Sequence, residues 1–274
     1  MKRYPVIISI AGSDSSGGAG IQADLKAISA LGAYAATAIT AITIQNTMGV
    51  QTIHPVPAEY VQGQIEAVME DLHPDAVKIG MINNITIARV VAKCLRKYKP
   101  AHVVFDPVMV STSGRKLIED DAIEVLTKEL IPLTDIITPN LDEAEVLTGK
   151  KITNLKEMKE AALTLLSFGS KAVLVKGGHL VGANMYDVLQ LASQTKPIVF
   201  KGKHIESKNV HGTGCTLSSS IATFLALGED MPGAVSKAKE YVKEAIEAGK
   251  NISIGHGNGP LCHSYAPVKM QILE

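Results

Sequence analysis

The stretch "VIISIAGSDSSGGAGIQADLKAISALG", residues 6–32, decides the architecture. It opens on an apolar, β-branched run and passes through glycine and serine. From Ala19 onward, apolar residues recur at the three-to-four spacing of a helix face until Gly32. Strand, tight loop and helix in that order make half of a βαβ unit. A strand that is apolar on successive residues must be covered on both faces, which calls for a parallel sheet between two helical layers.

The same unit repeats outward from this stretch. Apolar runs ending in turn residues lie at 36–45, 76–81, 102–109, 135–140 and 172–178. Between them, "AEYVQGQIEAVMEDL", "ITIARVVAKCLRKY" and "LKEMKEAALTLLSFG" carry helical spacing. Residues 185–204 break the alternation and read as an antiparallel pair of strands, and helices are expected over 213–227 and 231–250. With no repeat, low-complexity tract or linker, the chain is expected to form a single α/β domain over residues 1–274.

Of the 274 residues 46% are hydrophobic and 20% charged, enough to bury a full core. Lysine plus arginine equals aspartate plus glutamate at 27 each, so no global field draws the chain to nucleic acid or to an anionic membrane. Small molecules are the expected partners. The three cysteines, Cys94, Cys215 and Cys262, include no C-x-x-C pair, which argues against a disulfide framework or a thiolate metal site and fits a reducing cytoplasm. The opening "MKRYPVIISIAGSD" is too soon interrupted to be a signal peptide or membrane span.

In open α/β sheets ligands bind beyond the carboxyl ends of the strands. Those ends carry "GSDSSGGAG", "QNT", "GM", "DPVM", "PNLDE" and "KGGH", a polar, glycine-rich set for one rim. The glycine-rich loop is no Walker A motif, because no lysine follows Gly17. A dinucleotide fingerprint is nominally present at Gly18, Gly20 and Ala23. Yet no acidic residue follows Asp24 until Glu59, which argues against hydride transfer.

Phosphoryl transfer asks for a different set, and the chain offers it. "HGTGC", residues 211–215, precedes a helical run, so the N–H groups of Gly212, Thr213, Gly214 and Cys215 fall where a helix start attracts an anion. The glycines would let the backbone approach that anion, and the same field should lower the Cys215 pKa below about 8.5, making it a candidate base. Asp106, Asn140 and Glu143 supply oxygen at strand ends, suited to Mg²⁺, and Lys176 sits alone and charged in "AVLVKGGH". Simpler readings stay open at each position: Cys215 as a buried filler, Asp106 in an Asp-Pro turn, Asn140 as a helix cap, Lys176 with its head in water.

Taken in order, "AGSDSSGGAGIQADLK", "GAYAATAITAITIQNT", "KIGM", "DPVM", "ITPNLDEAEVL", "VLVKGGH", "HGTGCTLSSSIA" and "GHGNGPLCH" resemble the hydroxymethylpyrimidine and phosphomethylpyrimidine kinases of thiamine biosynthesis, within the ribokinase-like superfamily. The resemblance spans nearly the whole chain. It implies a three-layer α/β/α sandwich around a mostly parallel sheet, ATP with Mg²⁺ as donor, and a homodimer. The implied activity is successive phosphorylation of 4-amino-5-hydroxymethyl-2-methylpyrimidine and of its monophosphate. It also implies Cys215 as the catalytic residue, in place of the aspartate of many sugar kinases. Asp24, Gln45, Met81 and Val108 would line the pyrimidine site with Ala19 against the ring, Lys176 and Asn140 would serve ATP, and Asp106 and Glu143 the metal.

The cysteine-type pyridoxal kinases resemble this chain in the same glycine-rich opening and "GC" turn, but tend to lack the glutamine of "QNT" at 45–47. Ser15 departs from the proline of many family members. A vitamin-binding regulator on the same fold would need neither base nor metal ligands. Loops near 46–56 and 109–117 are expected to close over substrate, and His256 and His263 are read as structural.

Overall fold

The computed structural model describes residues 2–110, 117–178 and 184–274. The opening stretch forms strand β1 (Val6–Asp14) and helix α1 (Gly20–Ala30). There follow β2 (Tyr34–Asn46), β3 (Gly49–Pro55), α2 (Ala58–Asp71), β4 (Ala76–Ile79), α3 (Ile85–Tyr98) and β5 (His102–Phe105). Helix α4 (Asp120–Val125) runs on into irregular helical turns to Leu133, then come β6 (Ile136–Ile137), α5 (Leu141–Thr148) and α6 (Leu155–Leu166). The chain ends with β7 (Ala172–Lys176), β8 (Asn184–Leu191), β9 (Ile198–Lys203), α7 (Thr213–Ala226) and α8 (Met231–Gly249).

The strands form one sheet in the order β3-β2-β1-β4-β5-β6-β7-β8-β9. From β2 to β7 the pairings are parallel, while β3 and β8 run antiparallel to their neighbours. Successive strand residues serve opposite layers, as the period of two requires. Ile7, Ala76, Val104, Ile136 and Leu174 pack with α1, α7 and α8, whereas Ile8, Val77, Val103, Ile137 and Val175 pack with α2, α3 and α6. These are the two covered faces that the continuous apolar runs call for.

Local signals end the helices where packing needs them to end. Helix α3 starts at Asn84, whose side chain accepts from the Ile87 N–H, and stops at Lys99 in the left-handed region. The expected antiparallel pair within 185–204 is β8 and β9.

One expectation is corrected. Residues 46–56 are no open loop: most of them form β3, paired to β2 from Ala41↔Pro55 to Asn46↔Gly49. The last β1–β2 partners are Asp14 and Thr43, so β2 continues past its parallel neighbour and its outer part takes its hydrogen bonds from β3. Residues 111–116 of the other expected loop lie outside the described residues.

Candidate active site

Strand β1 lies between β2 and β4, so the strand order reverses there and a crevice opens beyond the carboxyl ends. Helix α7 crosses β1, β4 and β5 with its start at that edge. A cleft of about 1170 Å³ occupies the place, larger than the roughly 300–1,000 Å³ typical of one small ligand. Ala19, Gln45, Met81, Val108, Asp106, Asn140, Glu143, Lys176 and residues 212–215 all line it. Met81 and Val108 join Ala41, Ile53 and Leu117 in a separate apolar cluster that offers a flat ring a hydrophobic wall.

The glycine-rich loop folds around a carboxylate of its own. Asp14 Oδ1 accepts from the Ser16 N–H at 2.8 Å and from its hydroxyl at 2.7 Å. Oδ2 accepts from the N–H groups of Gly18 at 3.1 Å and Ala19 at 2.8 Å, and His211 Nε2 stands 2.8 Å away. Burial alone would raise this carboxyl, but the hydrogen bonds from His211, Ser16 and Ala19 outweigh it and hold the pKa near about 2. The N–H groups of Gly18 and Ala19 are therefore spent on Asp14. Neither Asp14 nor His211 was singled out from sequence. The available signal was a charged residue inside a glycine loop and a histidine directly before Gly-Thr-Gly.

Gly212 caps α7 with φ +83°, and a Cβ there would stand 1.8 Å from the Gly18 carbonyl oxygen. Its glycine character is thus required where two loops meet. Thr213 turns its N–H to Val210 O at 3.3 Å and its hydroxyl to the same oxygen at 2.6 Å. This takes one of the expected four N–H donors; helix geometry leaves those of Gly214 and Cys215 without an acceptor in the first turn.

The start of α7 faces an ion pair. A Cβ on Gly214 would lie 3.2 Å from Asp106 Oδ2 and 3.3 Å from Lys176 Nζ. Asp106 Oδ1 receives Lys176 Nζ at 2.8 Å and the Thr138 hydroxyl at 3.0 Å. Burial would depress the Lys176 ammonium, yet the charges of Asp106 and Glu143 prevail and its pKa is raised. Glu143 is pushed above the usual carboxylate range by burial, with Lys176 opposing and Asp106 adding to the rise. Its Oε2 accepts from the Asn140 N–H at 2.8 Å while Asn140 Oδ1 accepts from the Glu143 N–H at 2.9 Å, a capping box that starts α5. The cap reading and the site reading of "PNLDE" therefore coexist, since both side chains also line the cleft.

Two expectations are overturned here. Burial pushes the Cys215 thiol up to about 11; Lys78 opposes this, Asp24 and Asp106 add to it, and the N–H of Gly20 at the sulfur opposes it. Desolvation outweighs the helix start, and the resting side chain is a neutral thiol. Asp24, expected to touch substrate, does not line the cleft. Its fully buried carboxylate holds Lys78 Nζ at 2.8 and 3.0 Å and accepts from the hydroxyls of Ser9 and Ser219, each at 2.5 Å. The 3.6-residue turn sends Asp24 to the side of α1 that faces the sheet.

His263 is buried beside Thr216 Oγ1, at 2.9 Å from Nε2, and burial lowers its pKa to about 4. Among the described residues no three His, Cys, Asp or Glu side chains converge as a metal cage, and no helix is long and apolar enough to cross a membrane.

A helix start, a lysine and two carboxylates around a cleft with room for two ligands are the means of moving a phosphoryl group between small molecules, on an α/β/α fold. The chain belongs to the phosphomethylpyrimidine kinase family, whose pattern matches residues 14–262. It is 49% identical over 259 residues to the hydroxymethylpyrimidine/phosphomethylpyrimidine kinase of Rhizobium meliloti, covering 94% of this chain and 96% of that protein. The crystal structure of phosphomethylpyrimidine kinase from Clostridium difficile 630 superposes with a TM-score of 0.78 at 48% identity, covering 88% of this chain and 99% of that one. An ADP complex of Bacillus subtilis pyridoxal kinase gives a TM-score of 0.88 at 32% identity, covering 96% and 98%. The chain spans about half the length, 52% and 48%, of two bifunctional thiamine-biosynthesis relatives from Geobacter sulfurreducens and Oryza sativa subsp. japonica.

Proposed function

We propose that the protein transfers the γ-phosphoryl group of ATP to 4-amino-5-hydroxymethyl-2-methylpyrimidine and then to the resulting monophosphate, in thiamine biosynthesis. The observation that carries this reading is the placing of Gln45, an amide suited to an aminopyrimidine edge, in one cleft with Cys215 and Lys176. Met81 and Val108 supply the apolar wall for the ring, and Ala19 stands at the end of the glycine loop.

Lys176 and the N–H groups of Gly214 and Cys215 meet the charge that gathers on the moving phosphoryl oxygens. Asp106 and Glu143 set two carboxyl groups beside the one ammonium of Lys176, and a divalent cation bound there would draw off the proton that burial favours on Glu143. These two residues would hold Mg²⁺, which needs only one or two carboxylates besides water and phosphate and would neutralise phosphate charge when bound. Asn140 reaches the nucleotide from the start of α5. A loose transition state demands little nucleophile activation early on, so a neutral Cys215 thiol, which cannot take a second proton, can orient the accepting hydroxyl through its sulfur while the hydroxyl proton passes late to an oxygen of the transferred phosphoryl group.

The same reading includes a single domain built on the one sheet, cytoplasmic location and a homodimer. Exposed Ile42, Ile44 and Met48 on the β2–β3 hairpin support self-association. Pyridoxal phosphorylation is the second reading, favoured by the close fold likeness to the Bacillus subtilis pyridoxal kinase.

ADP release is the test, measured with Mg-ATP and, in parallel, hydroxymethylpyrimidine, its monophosphate, pyridoxal, ribose or no acceptor. Turnover of the first two is expected. Preference for pyridoxal would move the protein to vitamin B6 salvage, and no turnover of any acceptor would make it a binding protein.

A further inference from the structure

His211 stands between the glycine loop and Gln45, and the hydrogens around it can be assigned. Asp14 Oδ2 already accepts from two backbone N–H groups, so its carboxylate presents only lone pairs to His211 Nε2, 2.8 Å away. That contact forms only if Nε2 carries a hydrogen. A protonated Nε2 has no lone pair left, so the Gln45 amide atom 3.1 Å from it must be the oxygen, not the nitrogen.

The other end of the amide gives the same answer independently. The Thr43 hydroxyl has one hydrogen and donates it to Ser13 O at 2.7 Å. It can then only accept from the Gln45 amide atom at 3.2 Å, which must be the NH₂ group. Both contacts call for the amide to be turned over, oxygen to His211 and nitrogen to Thr43. Among the described residues one N–H and one carbonyl lone pair of that amide then remain uncommitted in the cleft. That count matches one ring nitrogen and one amino hydrogen of an aminopyrimidine.

We propose that His211 is a positioning residue for substrate recognition: held by Asp14 with its Nε2 hydrogen in place, it fixes the orientation of the Gln45 amide and thereby the edge offered to an aminopyrimidine. This rests on the substrate class proposed above. His211 touches no reacting atom, and its effect passes through Gln45.

The test has a substrate-free arm and a kinetic arm. In ¹⁵N-labelled wild-type protein, long-range ¹H–¹⁵N spectra should show His211 Nε2 protonated, assigned by its loss in His211→Gln. The Gln45 NH₂ hydrogens, assigned by their loss in Gln45→Met, should give NOEs to Thr43 and none to the His211 ring. An unprotonated Nε2, or NOEs from the amide to the ring, would overturn the proposal. In kinetics, His211→Leu should raise KM for hydroxymethylpyrimidine about 10-fold, the scale of one misdirected hydrogen bond, and leave KM for ATP unchanged. His211→Gln, which keeps an N–H near the Nε2 position, should recover most of that loss. In a Gln45→Met background, His211→Leu should have no further effect on the pyrimidine KM. The same rise in that background, or an equal rise in KM for ATP, would mean His211 only braces the loops. Absence of pyrimidine turnover by the wild type would overturn the function proposed above, and the NMR arm would still decide the orientation of Gln45.

Discussion

Cys215 stands at the start of α7 with the Gly20 N–H at its sulfur, and both favour a thiolate, yet burial prevails and the pKa rises to about 11. Its alkylation by iodoacetamide should therefore keep accelerating as pH rises through 9 and show no plateau near about 8.5, where a free cysteine titrates. The pKa lies above its unfolded value of 9.0, so the stability that the half-buried neutral thiol contributes is present below pH 9 and lost as pH climbs toward 11. Replacement by alanine should cost about 10²-fold or more in kcat if Cys215 orients the accepting hydroxyl; near-normal turnover would leave the work to Lys176 and the backbone donors. His263 shifts the other way, from 6.5 to about 4. Between those values the unfolded chain binds a proton that the folded chain does not, so stability is full above pH 6.5 and falls as pH drops toward 4, by at most roughly 3 kcal/mol. Urea denaturation at pH 7.5 and pH 5 should show the wild type losing more stability than His263→Gln.

Helix α7 is aimed by its cap. Gly212→Ala would demand φ +83° of a residue with a Cβ and drive that atom to 1.8 Å from Gly18 O, so the cap and the glycine loop must separate. We expect a loss of at least about 1–3 kcal/mol in urea denaturation and a fall in kcat beyond that of a surface Gly→Ala change such as Gly63→Ala, which meets no atom within 4 Å. Elements of this kind were legible because strong local signals agreed with the packing. Helix α3 fills 85–98 as its spacing predicts, and the apolar runs of β1 and β7 become central strands. Strand β3 was not legible, since Gly49–Pro55 earns its strand from the overhang of β2 and not from its own pattern. The gathering of Asp106, Asn140 and Lys176 along one cleft was legible because a parallel sheet brings its strand ends to one rim. Asp24 was misplaced because residue type and spacing do not report how deeply a helix face is buried, and the Cys215 pKa was misjudged because they do not report desolvation at the wall of a cleft.

At the scale of the whole molecule, the Lys78–Asp24 pair joins the sheet to the layer that carries Cys215. Ser9 on β1, Asp24 on α1, Lys78 on β4 and Ser219 on α7 are all fully buried and mutually hydrogen-bonded through Asp24. Ser219 lies one helical turn beyond Cys215, so the cluster stands beneath the thiol on the same side of α7. Removing two charges from water is expensive, and such a pair contributes little net stability against an apolar substitute of similar volume. Breaking it is another matter. Lys78→Met strands a buried carboxylate and should cost about 3–5 kcal/mol in urea denaturation, whereas Lys78→Met combined with Asp24→Leu should recover most of that. A single variant nearly as stable as the wild type would mean that Asp24 takes up a proton or water reaches it. If the double variant regains stability but not kcat, the pair serves to set α1 and α7 on the sheet at the spacing the cleft needs; recovery of both would assign that spacing to the surrounding apolar packing.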